Sequence, residues 1–393
     1  MRNDFGEAAS PFVAMTKLTD VAQGRDNNFN LIRILAAYAV LVTHSFALST
    51  GRPSDEPLMQ SLGMTLGSIA VDVFFLTSGF LVTASILTRR SALEFVVARV
   101  LRIYPGLLIM LCIVVFIAGP AFTRQGWQDY FSERQTLRYF LRCLTLFGGV
   151  DHRLPGVFEN NPLPGLVNSS LWTMPYEVWM YALIASMWVV AKRSASSTRV
   201  VFRSLVVVAG AALLTAVALH RFGTLGASGG NGLRVCLMFL VGAAYQLFKD
   251  DVPIDGRIFA SLLLALLLSA AHKEAFFWVY AITVAYLVFY LAYVPKGVVR
   301  RYNAVGDYSY GIYIFAFPIQ QAIVALSPGI SPLGLLTAST VATLLAAALS
   351  WHLLERHVLE RRGACVSQAR HAFQRAVGQW GRLGASDDLG GRG

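Results

Sequence analysis

Four ionisable residues, Arg33, His44, Asp72 and Glu177, stand in stretches otherwise apolar enough to cross a membrane. A charge near the centre of such a helix costs at least about 2.5 kcal/mol, so each needs a partner or a task. Arg33 and His44 are eleven residues apart in one run. On an α-helix that is three turns plus about 20°, over about 16 Å, so both point the same way at different depths. Imidazole titrates near neutral pH and suits a general base, and a neighbouring carboxylate orients it or raises its basicity. Asp72 and Glu177 lie roughly 9–12 Å into their own runs, a depth close to that of His44. Convergence of the three on one water-accessible site is therefore expected. A snorkelling arginine and a hydrogen-bonded polar network would use the same residues structurally.

Two further groupings bear on binding. Arg99 and Arg102 (Arg-Val-Leu-Arg) are spaced to share one helix face and to offer a doubled guanidinium for phosphate; the bland role is charge marking the cytoplasmic side. Trp172, Tyr176, Trp179 and Tyr181 surround Glu177. They fit an interfacial aromatic belt or flat platforms for sugar rings. The four cysteines are widely spaced with no metal-ligand pattern, so they read as small buried hydrophobes, and no metal is expected.

The elements that must position these groups follow from composition. The chain is 55% hydrophobic and only 14% charged, against about 25% charged in soluble domains. An all-α polytopic bundle of about ten spans is expected, at about 31–49, 64–86, 103–121, 171–191, 204–219, 233–248, 258–271, 275–293, 308–326 and 332–354. The transmembrane domain is placed at 29–356, between a leader (1–28) and a basic tail (357–393) that is partly disordered. The first helix is read as uncleaved. The net charge of +11 sits in short clusters between apolar runs, which sets orientation and argues against nucleic acid. With the N-terminus inside, 23 Lys and Arg fall in inner connections and 8 in outer ones, so both termini are expected in the cytoplasm. The long outer connection, 122–170, carries a short amphipathic helix near 137–149 and several Pro and Gly, and has the length of a lid or binding loop.

The motifs together resemble the membrane-bound acyltransferase type 3 family. NNFNLIRILAAYAVLVTHSFALS is similar to its first helix, with Arg33 and His44. GSIAVDVFFLTSGFLV places Asp72, Ser78 and Gly79, and ARVLRIYP is its arginine motif. SLWTMPYEVWMYAL places Trp172, Glu177 and Tyr181, and GDYSYGIYIFAFPIQQ and SWHLLERHVLE resemble the closing helices. Where many members carry a histidine before the ninth-helix proline, this chain has Phe317 before Pro318. The resemblance implies transfer of an acyl group, by default acetyl, from cytoplasmic acetyl-CoA to a hydroxyl of an extracytoplasmic or lipid-linked carbohydrate. Multi-pass residence in a bacterial inner membrane is implied with it. On that reading Arg33, Arg99 and Arg102 hold the donor phosphates, His44 is the general base, with an acyl-histidine intermediate as the alternative, Asp72 and Glu177 orient or polarise the site, and the aromatic quartet meets the acceptor. A transporter or flippase for a sugar or lipid precursor is the competing class. It should show internal repeats, which are not apparent, and it leaves the paired arginines without a use.

Overall fold

The computed structural model describes residues 16–24, 26–89, 91–223, 229–371 and 374–375; most of the leader and the end of the tail lie outside them. Among the described residues the chain is helical, without strands. Each apolar run falls on a helix: α1 (Phe29–Thr50), α2 (Leu66–Thr88), α3 (Ala92–Ile113), the amphipathic α4 (Arg134–Thr145), α5 (Met174–Arg193), α6 (Thr198–Arg221), α7 (Gly230–Leu247), α8 (Gly256–Ser269), α9 (Lys273–Tyr293), α10 (Ser309–Leu326) and α11 (Pro332–Ser350). Among the described residues eight helices are long and apolar enough to cross a membrane. The other two apolar runs form α7, which carries Arg234 and Gln246, and α8, which has only 14 residues. At 1.5 Å per residue α8 covers about 21 Å of a hydrocarbon layer about 30 Å thick.

The third span begins eleven residues before the expected position. It runs unbroken from Ala92 to Phe122, so Arg99 and Arg102 sit inside the helix, not ahead of it. Ser91 precedes it, and a π-helical segment, Val114–Ala118, carries it onward.

With no hydrophobic drive between helices in lipid, close backbone approach and polar ties must hold the bundle. The most extensive helix pairing is α2 with α7. A Cβ on Gly79 would lie 1.9 Å from the Phe239 carbonyl oxygen, and one on Gly242 would lie 2.0 Å from that of Leu76. Glycine on both sides is what lets these helices touch. Gln320 of α10 donates to the Leu41 carbonyl (2.9 Å) and to Ser45 Oγ (2.7 Å), tying α10 to α1.

The end of the bundle that holds Phe29 also holds the start of α3 and the residues after α11; it is called the near end. The far end holds Thr50 and Leu66. At the far end the second half of the 122–170 connection folds inward. Asn161 donates to the Gln321 carbonyl (2.9 Å), Gln321 donates to Leu163 and Leu166 carbonyls, and Asn168 donates to the Ile314 carbonyl (2.9 Å). Leu154, Val157, Phe158 and Val167 are buried. The loop is a plug fastened to α10. Gly51, in a left-handed conformation (φ 75°) at the end of α1, permits the plug's Pro162 to lie against it.

Candidate active site

At the near end α1, α2, α3, α5 and α10 surround a cavity of about 250 Å³. Arg33, Arg99, Arg102, Glu177 and Tyr181 all line it. Glu177 lies lower than helix counting implied, because Asn168 is already fully buried where the chain enters α5 through the 3-10 turn Ser169–Thr173. Tyr181, one turn on, donates its hydroxyl hydrogen to Glu177.

The three arginines are not equivalent. Arg102 pairs with Asp307 and lies 3.6 Å from Glu355. Glu355 is brought there by a second π-helical segment, Trp351–Glu355, and is held by Ser350 Oγ at 2.7 Å. Such segments recur at functional sites because they re-aim a side chain without ending the helix. Burial would raise the pKa of Asp307, but Arg102, Arg33 and the Ser309 hydrogen bonds outweigh it and hold the carboxyl at about 2. Asp307 is therefore a fixed anion. Arg33 and Arg99 have no carboxylate partner among the described residues, and the Nε of each is buried without an acceptor. Their guanidinium carbons lie over aromatic rings, Arg33 5.7 Å from Phe74 and Arg99 5.7 Å from Tyr181. Rings offer part of what a buried cation lacks. These two cations retain the capacity to hold an anion.

His44 lies towards the far end of α1, three turns from Arg33. Its ring meets Phe317 edge-on (centroids 5.1 Å apart), and Nδ1 is 3.9 Å from Glu56 Oε1. Both side chains are mostly covered, with 22% and 15% exposure. Leu163 and Leu166 of the plug pack against the cluster containing Phe317. Burial raises the pKa of Glu56 to about 7. Sequence reasoning missed Glu56; its signal was an acid in the connection that follows the histidine helix. The near-end cavity reaches Tyr313 on α10. Phe317 is one turn further along α10, about 6 Å on, so the cavity stops a turn short of the ring on which His44 rests.

The expected convergence of His44, Asp72 and Glu177 is not found. No hydrogen bond or ion pair joins them among the described residues. Asp72, 1% exposed, accepts from Arg234 Nε (3.1 Å) and from the Tyr280 hydroxyl (3.1 Å). It ties α2 to α7 and α9. Depth along a helix carries no information about the direction a side chain faces in the bundle. Removing one partner of such a pair leaves a buried uncompensated charge, at about 3–5 kcal/mol.

The aromatic quartet also divides. Tyr181 belongs to the near-end cavity. Trp172 and Tyr176 line a far-end pocket of about 360 Å³ with His220 and Asn231. Trp179 is half exposed on the outside of the bundle and stacks edge-on against Tyr176. No group of His, Cys, Asp and Glu suited to a metal occurs among the described residues.

Comparison with known proteins gives a family model described as an acyltransferase domain, matching residues 26–352. An O-acetyl transferase of Shigella phage Sf6 is 28% identical over 355 residues, spanning 86% of this chain and 97% of the relative. Nodulation protein 10 of Rhizobium leguminosarum bv. viciae is 26% identical over 383 residues, spanning 88% and 97%. No solved structure gives a significant match.

Proposed function

This chain belongs to the acyltransferase family whose model spans it, and from that membership we propose a division of labour between the two ends of its bundle. The protein is a multi-pass membrane O-acyltransferase. Its donor is acetyl-CoA, entering from the cytoplasm at the near end, and its acceptor is a carbohydrate hydroxyl at the far, extracytoplasmic end of a bacterial inner membrane. The observation that carries this reading is the placement of Arg33 and Arg99, whose Nε atoms are buried without an acceptor and which have no ion-pair partner among the described residues, at the near end, with His44 beside Glu56 towards the far end of α1.

Arg33 and Arg99 attract the donor's phosphates, while Arg102, already neutralised by Asp307 and Glu355, sets the shape of the entrance. Glu177, held by Tyr181, offsets only part of the remaining positive charge in the cavity wall. The acceptor oxygen attacks the thioester carbonyl carbon as Nε2 of His44 takes its proton. The tetrahedral intermediate then collapses, the C–S bond breaks, and the departing thiolate takes the proton held by the His44 imidazolium, which restores the base. Nδ1 of His44 faces Glu56, whose carboxylate stabilises the imidazolium formed in the first step. The thioester must pass Tyr313 and Phe317 to reach His44, so those two rings form the gate between donor and base. Trp172 and Tyr176 supply flat faces for a sugar acceptor at the far end.

The test is His44→Ala expressed beside the parent in cells lacking the gene, with surface polysaccharide compared by mass. Loss of acetyl groups is expected, by about 10²-fold or more in rate, with normal amounts of protein in the membrane. Undiminished acetylation by the variant would remove His44 from the mechanism.

A further inference from the structure

Past the end of the family match at residue 352, the chain continues as a helix over 362–371, labelled α12. Arg370 pairs with Glu94 at 2.5 Å, fastening α12 to the first turn of α3. Leu359 and Arg362 then line the mouth of the near-end cavity. The same two residues line a second, open groove of about 510 Å³ with Trp351, Gly363 and the ion-paired Arg356 and Glu360. Arg362 thus stands where cavity and groove meet.

The charge at this mouth is one-sided. Arg89 is held only by neutral acceptors, Ser85 Oγ (2.9 Å) and the Glu94 carbonyl (3.1 Å). Burial first, and then the nearby cations Arg362 and Arg99, lower its pKa, against a smaller opposing pull from Glu94. The carboxylate of Glu94 is engaged by Arg370, and Arg362 makes no ion pair among the described residues. Arg33, Arg99 and Arg362 therefore line one opening, with Arg89 close to Arg362 and Arg99, and Glu177 is the sole acid lining it among the described residues. A ligand carrying several phosphates is the chemistry that would balance them.

We infer that α12 completes the donor site, with Arg362 binding the donor's phosphates at the junction and the Trp351 groove receiving its nucleotide end. This rests on the acyl-CoA reading above. The cavity of about 250 Å³ suits the pantetheine arm but not the whole of an extended CoA, and the groove supplies the remaining room. Anionic lipid headgroups share the phosphate chemistry, so the test must separate the two sources.

Full-length protein in phosphatidylcholine nanodiscs is titrated with CoA by calorimetry, for the parent, Arg362→Ala and the neighbouring Arg361→Ala, with thermal unfolding as the check on folding. The expected result is an affinity about tenfold weaker for Arg362→Ala, the loss of one charge-assisted contact, and little change for Arg361→Ala. Glu94→Gln, which frees α12, should weaken CoA binding in the same direction while Arg362 remains. If the parent does not bind CoA, the donor reading falls and takes this inference with it. If the parent binds and Arg362→Ala binds equally well, the inference alone is overturned. It is likewise overturned if Arg362→Ala keeps its CoA affinity but loses retention of phosphatidylglycerol, or if both arginine variants weaken alike.

Discussion

Glu56 takes its importance from burial. A covered carboxyl prefers its neutral form, and the rise in its pKa from 4.5 to about 7 puts the change of charge at physiological pH. Below about 7 it is protonated and gives the His44 imidazolium no support; above about 7 it is an anion beside Nδ1. Acetyl transfer in proteoliposomes should therefore rise as pH passes through about 7. Glu56→Gln should flatten that limb and lower the rate about tenfold, equivalent to ~1.4 kcal/mol of transition-state stabilisation. A rising limb unchanged in Glu56→Gln would show that another group titrates. Stability has the opposite sense. The favourable contribution of protonated Glu56 is complete below its ordinary value of 4.5 and is lost as pH climbs through about 7.

The α2–α7 pair is the scaffold on which both ends depend. α2 brings Phe74 and Ser78 to the cavity, and α7 supplies Arg234 for Asp72. Both contacts require backbones at glycine distance. In Gly79→Ala or Gly242→Ala the new methyl meets a backbone carbonyl, which has no rotamer with which to retreat. Each substitution should cost about 1–3 kcal/mol or more through overpacking, seen as a lower melting temperature in detergent and reduced folded yield. Melting curves that superimpose on the parent's for both variants would mean that the helices can part freely. The same element fixes Asp72, which accepts from Arg234 across this close helix contact.

Across the whole molecule, charge and cavity point the same way. The near end gathers Arg33, Arg89, Arg99, Arg102 and α12, and the connections assigned to the cytoplasm hold 23 of the lysines and arginines against 8 outside. A reporter fused after residue 371 should accordingly be fluorescent as a cytoplasmic protein. Alkaline phosphatase inserted near Asp55 or in the 122–170 connection should be active, as a periplasmic enzyme is. The reverse pattern would turn the arginine mouth away from the cytoplasm and separate it from acyl-CoA. Plug and gate belong to this scale too, since Asn161, Asn168 and Gln321 fasten a loop to α10 so that its leucines cover the face bearing Phe317.

Sequence alone determined the membrane class, the ten apolar runs, the amphipathic α4 and the family motifs. These depend on transfer free energy and helical periodicity, which are properties of a segment by itself. Tertiary structure decided which polar groups meet. Asp72 finds Arg234 162 residues away, Arg102 is answered by Asp307 and Glu355, Glu56 folds back to His44, and Glu177 joins the arginines because a buried loop lowers its entry into the bundle. Such pairings depend on the azimuth of each helix and the path of each connection. Neither leaves a periodic trace in a single sequence, because both are fixed by packing between segments far apart in the chain.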